Sequence, residues 1–159
     1  MSVERLSGVE ADSWGDGYRS AILEQYKLLV EMADRISQRR HWANTFLLTA
    51  NSALLAVTGF VETKGDALEP MVAGAGIALS VVWFLLIQSY RHLNEAKFEV
   101  IKSIEQGYLP LTPYVAETAK LEVLRKHVYH WSLSTVERAV PLIFGALYVM
   151  ALVVQLQGD

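Results

Sequence analysis

The chain has 159 residues, of which 52% are hydrophobic, with 14 Lys and Arg against 17 Asp and Glu and no cysteine. One domain of this length with so apolar a composition is unusual in water and ordinary where lipid is part of the solvent. The missing cysteines exclude disulfides, thiol catalysis and thiolate metal sites, and a net charge of −3 with no long basic tract gives no reason to expect nucleic acid as a partner.

Residues 1–17 are acidic and carry Gly8, Gly15 and Gly17; they read as a loose arm, with Trp14 as an anchor against a neighbour. A basic segment followed by an apolar one is missing here, so a cleaved leader is not expected. Over 18–42, Ile22, Tyr26, Leu29, Ala33 and Ile36 step by four and three, the stripe of an amphipathic helix. Its polar face mixes acids and bases, which favours packing against another helix over lying on lipid.

Arg39, Arg40, His41 and Trp42 mark a membrane interface, and an uncharged run over 43–61 follows as a first span. Nothing between the two breaks a helix, so they can form one rod. Residues 62–69 (ETKGDALE) read as a short external loop, and Pro70 suits the first turn of a second span over 70–90. The helical spacing continues through Leu93, Ala96 or Lys97, Val100 or Ile101, and Ile104 until Gly107, Pro110 and Pro113 stop it. A further amphipathic helix runs from 114 to 138 through Val115, Leu121, Leu124, Val128 and Leu133, giving a cytoplasmic helical hairpin over 91–138. Pro141 opens a third span within 139–157. Each uncharged run is close to the ~20 residues a helix needs to cross ~30 Å of hydrocarbon.

Charge sets the orientation. Six Lys and Arg lie in residues 1–42, seven in 90–138, and only Lys64 in the loop between the first two spans. The positive-inside rule then places the N-terminus in the cytoplasm. The expected fold class is an all-α membrane protein with three transmembrane helices and amphipathic cytoplasmic helices, assembled as a homo-oligomeric ring. Ala73, Gly74, Ala75, Gly76 and Ala78, with Ala50, Ser52, Ala53, Ala56 and Gly59, offer small surfaces for close helix contact in lipid, within one protomer or between protomers. An oligomer would cover the wide lipid-facing surface of three spans and the stripes of the two cytoplasmic helices.

The block Ser89-Tyr90-Arg91-His92-Leu93-Asn94-Glu95-Ala96-Lys97-Phe98-Glu99-Val100-Ile101, with Ile104-Glu105 and Leu109-Pro110, resembles the signature of the RipA-family octameric membrane proteins of bacteria. Ala43-Asn44 and Glu137 followed by Pro141 fit the same pattern. The resemblance implies a small inner-membrane protein that assembles as a homo-octamer, and it brings no defined biochemical activity. The expected partners are further copies of the chain and membrane lipids, with no protein partner indicated.

Three groups of residues are candidates for function. Asn44, Thr45 and Asn51 lie in the first span and read either as pore-lining groups or as interhelical hydrogen bonds, the second being preferred. Arg91, Asn94 and Lys97 share a helix face that Glu105 extends. They read either as a site for lipid phosphates or a small anionic ligand at the cytoplasmic mouth, or as a salt-bridged subunit contact with Glu137 and Arg138 as partners, again with the contact preferred. Tyr90 and Phe98 belong to the same cytoplasmic signature. His127 and His130 are three apart, but no third ligand is in step, so a metal is not expected. No cofactor is expected, and no nucleotide, hydrolase or zinc-protease motif occurs, so the chain is not expected to be an enzyme.

Overall fold

A computed structural model of the chain describes residues 15–60, 68–127 and 133–158. Among them are a short 3-10 turn, Gly15–Gly17, and four α-helices: α1 (Tyr18–Phe60), α2 (Leu68–Tyr108), α3 (Pro113–His127) and α4 (Leu133–Gly158). Residues 1–14 of the expected arm, Trp14 among them, most of the loop over 62–69, and His130 lie outside the described residues, and His127 is described only in its backbone.

The rod expected from the unbroken pattern is present: α1 carries both the amphipathic stripe and the first uncharged run in 43 residues. α2 likewise continues from the second run through the signature block to Tyr108. Pro70 lies in the first turn of α2, where the N–H it lacks has no helical acceptor. α4 begins at Leu133, so Pro141 stands inside it rather than at its first turn. There it is fully buried and leaves the Glu137 carbonyl without its helical donor. Of the expected helix over 114–138, α3 carries the part to His127 and α4 the part from Leu133, and residues 128–132 lie outside the described residues.

The described residues form two compact units. The polar unit comprises 15–38 and 92–127, and the apolar unit 39–60, 68–91 and 133–158.

In the apolar unit Leu47, Trp83 and Ile87 form the buried core, with Leu79, Val140 and Phe144 packed against it. The Trp83 and Phe144 rings stand 6.1 Å apart, tilted, within the range in which aromatic pairs attract. α4 turns Leu142, Ile143, Leu147, Met150, Val153 and Val154 outward. Such a bare aliphatic face suits lipid and would be costly in water. Among the described residues two stretches, Pro70–Tyr108 and Thr135–Gln157, are long and apolar enough to cross a membrane.

In the polar unit the α1 stripe packs as its spacing requires. Ala33 and Ile36 are buried and Ile22, Tyr26 and Leu29 half-buried, while Leu23, Leu28 and Met32 are exposed. On α2 the packed row differs from the hydrophobic reading. Leu93 is 46% exposed, whereas Ile101 and Glu105 are fully buried and Asn94 is half-buried. The packed face therefore runs through two polar residues, and hydropathy alone selects the wrong neighbours.

Candidate functional site

Glu105 organises the polar unit. It sits in the last turn of α2, just before the Tyr108–Pro113 connection, and none of it is exposed. The Tyr26 hydroxyl donates to its Oε1 at 2.8 Å. The backbone N–H of Tyr114 donates to Oε1 at 3.2 Å and that of Val115 to Oε2 at 3.1 Å. The local sequence explains the geometry. Thr112 accepts the first α3 backbone bond, from Ala116 at 3.0 Å, so Pro113 is the first helical residue and Tyr114 and Val115 carry unpaired N–H groups. A residue at the start of a helix normally caps such donors itself. Here a carboxylate from the preceding helix does so, in the positive field of the α3 N-terminus. Phe98 closes one side of this corner, its ring 5.6 Å from that of Tyr114, and Tyr18 meets Tyr108 edge-on at 6.5 Å.

Burial, together with the bond to Glu105, pushes the Tyr26 phenol up to about 12 from an ordinary 10.0. A raised phenol pKa means that the neutral form is favoured in the folded chain. The stability Tyr26 supplies is therefore complete below about pH 10 and is lost as pH rises toward 12. Alkaline titration of tyrosine absorbance should show a late component that loses amplitude in Tyr26→Phe. A late component of unchanged amplitude in that variant would contradict the assignment.

The apolar unit has a polar centre of its own. Asn51 is completely buried. Its Nδ2 donates to the Leu47 carbonyl at 2.9 Å, its Oδ1 accepts from Ser80 Oγ at 3.2 Å, and its own carbonyl accepts the Tyr148 hydroxyl at 2.7 Å. Asn51 thereby ties α1 to α2 and α4. Tyr148, also fully buried, lies directly over Gly76: a Cβ at that glycine would fall 2.4 to 2.6 Å from three ring carbons. One turn or two away, Trp83 Nε1–H donates to Asn44 Oδ1 at 2.9 Å. Thr45 lies on the opposite, exposed side of α1, where its carbonyl accepts from Thr49 Oγ1 at 2.9 Å.

Arg40 and Glu137 close the same unit with a charged pair at 2.7 Å, their side chains 18% and 22% exposed. Glu137, expected as a partner of the signature helix, is bonded to Arg40 of α1, and Glu105 is bonded to Tyr26 and to the start of α3. Both carboxylates are thus engaged within one chain. Tyr90, Arg91, Lys97 and Arg138 are half-buried. Asn94 Oδ1 is buried with no hydrogen-bond donor among the described residues.

Removing one partner of the Arg40–Glu137 pair leaves a mostly buried charge uncompensated. For a fully buried pair this costs roughly 3–5 kcal/mol, and the residual exposure here reduces it to about 1–3 kcal/mol. Glu137→Ala should lower the melting temperature of the purified protein by that equivalent, and Arg40→Glu with Glu137→Arg should recover part of it. No recovery in the exchanged pair would mean that packing, rather than charge, dominates.

Sequence reasoning missed Tyr148, Ser80 and Tyr26 as site residues. One signal was available: Tyr148 is the sole tyrosine in the third uncharged run, and a buried phenol needs an acceptor. Among the described residues no group of three or more His, Cys, Asp or Glu is placed to hold a metal.

Apolar helices of membrane-crossing length, knit by buried amide and hydroxyl contacts and bearing an uncovered aliphatic face, define an all-helical membrane protein. The sequence pattern of the octameric membrane protein family matches residues 23–157, and the chain belongs to that family. The family description carries octameric assembly in a membrane, without the RipA label. No curated protein and no solved structure matches the chain.

Proposed function

We propose that the chain is a three-pass protein of a bacterial inner membrane, N-terminus in the cytoplasm, whose homo-octameric ring organises lipid or a partner protein. The observation that carries the structural reading is Asn51. The amide most suited to line a pore at mid-depth is fully buried, and its groups bond to Leu47 and Ser80 of the same chain. No ionisable side chain lies within any of the three uncharged runs except the tyrosines, which leaves no charged ring or proton relay at that depth. The first span, on α1, is supported by its place beside α2 and α4 in one core and by the charge distribution on either side of it. The signature block on α2 supports kinship with the RipA-type members.

A second reading, a pore, is favoured by one feature: Thr45, Thr49 and Ser52 place hydroxyls along the exposed face of α1. Purified protein in planar bilayers separates the two. The structural reading expects no unitary conductance across lipids and voltages. Reproducible conductance that changes in Thr45→Leu would overturn it.

A further inference from the structure

From Ala116 to Leu124 α3 has almost no cover. Ala116, Glu117, Ala119 and Lys120 are exposed, and so are Leu121 (52%) and Leu124 (55%). A helix of 15 residues does not persist in water on propensity alone; it needs an apolar face packed against something. Glu117, Lys120, Leu121 and Leu124 stand at i, i+3, i+4 and i+7, so the four share one face.

The same unit holds an open groove of about 720 Å³. Val30, Ala33, Phe98 and Tyr114 supply its apolar and aromatic surface, and the α1 flank carries Glu31 and Asp34 against one cation, Lys27. The groove thus offers what the bare face of α3 lacks: apolar cover, with Asp34 beside it as a carboxylate for Lys120, Glu31 being held by Arg35 at 2.7 Å. Yet α3 cannot fill its own groove. Tyr114 lines it, and Leu121 stands seven residues further along the same rigid helix, about 10 Å away. The groove extends along α1 from Tyr26 to Ser37, about 16 Å, long enough for the two turns from Glu117 to Leu124.

Symmetry gives a reason for one unit to carry both surfaces. Copies inserted the same way in a membrane are related only by rotation about its normal, so an eight-membered ring needs two different, complementary faces on each protomer. We propose that the Lys120–Leu124 face of α3 docks into the groove of the next copy, head to tail. This rests on the octameric reading above and names the contact that closes the ring.

The chain has no cysteine, so cross-linking has no background. Full-length protein carrying Asp34→Cys and Leu121→Cys, oxidised in native membranes, should give a ladder of bands ending at eight, while either single variant stays monomeric on denaturing gels. Assemblies of eight by mass that yield no ladder would overturn the docking, as would dimers from a single variant or a cross-link to a different protein. If the paired cysteines disturb assembly, exchange of charge decides: Asp34→Lys and Lys120→Glu should each lower the octamer share, and together restore it. Failure to restore overturns the proposal. Mass measurement of the unaltered protein is read separately, since a number other than eight would fault the octameric reading itself.

Discussion

Gly76→Ala should be among the most damaging single-methyl changes in the protein, destabilising the apolar unit by about 3 kcal/mol, the upper end of the overpacking range. The added Cβ would meet Tyr148 Cζ, Cε1 and Cδ1 at 2.4, 2.5 and 2.6 Å. These are atoms of a rigid ring, not the free end of a flexible chain. The ring has nowhere to retreat, because it is fully buried and its hydroxyl is held by the Asn51 carbonyl at 2.7 Å. Moving it breaks that bond and pulls α4 from the Asn51–Ser80 contact. Gly74→Ala is the control, since a Cβ there meets nothing within 4 Å inside the protomer. A second variant tests the cause: Gly76→Ala with Tyr148→Leu should cost less than the sum of the two single changes, because removing the ring removes the clash. Equilibrium unfolding in mixed micelles measures all four proteins. Additive losses would show that the ring-on-glycine contact is not the source.

Glu105→Ala should be the most damaging change in the polar unit. It orphans the Tyr26 hydroxyl and the N–H groups of Tyr114 and Val115 at once. A buried donor left without an acceptor costs about 1–3 kcal/mol, so the loss should reach several kcal/mol. Glu105→Gln is the sharper probe. Its size is unchanged, but one of the two oxygens becomes an NH₂ that cannot accept from a backbone N–H. Both variants should speed amide hydrogen exchange at the start of α3, the alanine more than the glutamine, while α4 keeps its protection. Unchanged exchange at Tyr114 and Val115 in the alanine variant would contradict the capping role. Since the α3 N-terminus also lines the groove, the alanine variant should weaken assembly as well.

The long helices were legible because their cause is local. Stripe spacing on α1, the unbroken patterns into and out of the uncharged runs, and the Gly107–Pro110–Pro113 stop are carried by neighbouring residues. Contacts between distant residues were less legible. Asn51 was singled out for its depth, and its partners Ser80 and Tyr148 lie 29 and 97 positions away. Glu105 was singled out within the signature, but periodicity reads a carboxylate as solvent-facing. Only the turn at Thr112–Pro113, which brings two helix N–H groups to it, makes its burial favourable. Leu93, on the expected apolar stripe, is therefore exposed, and Glu105, expected in a polar subunit contact, is buried within the chain. Pro141 misled for a related reason: a proline marks a helix start by local rule, yet here it is buried within α4.

The Arg40–Glu137 pair shows how the residues around the apolar unit act together. Arg40 was read as an interface marker and Glu137 as a signature residue; their bond ties α1 to α4 eleven residues before Asn51 and Tyr148 do so again. With Asn44 on Trp83 between them, the unit is fastened at successive levels by polar contacts that each stay inside one chain. That arrangement suits a protomer built as a rigid block for assembly.

Projection imaging of the purified assembly in lipid tests the account most directly. The expected image is an eightfold ring whose centre has the density of lipid or protein, with α4 on the lipid side. A continuous water-filled opening lined by the Thr45–Thr49–Ser52 face of α1 would contradict it.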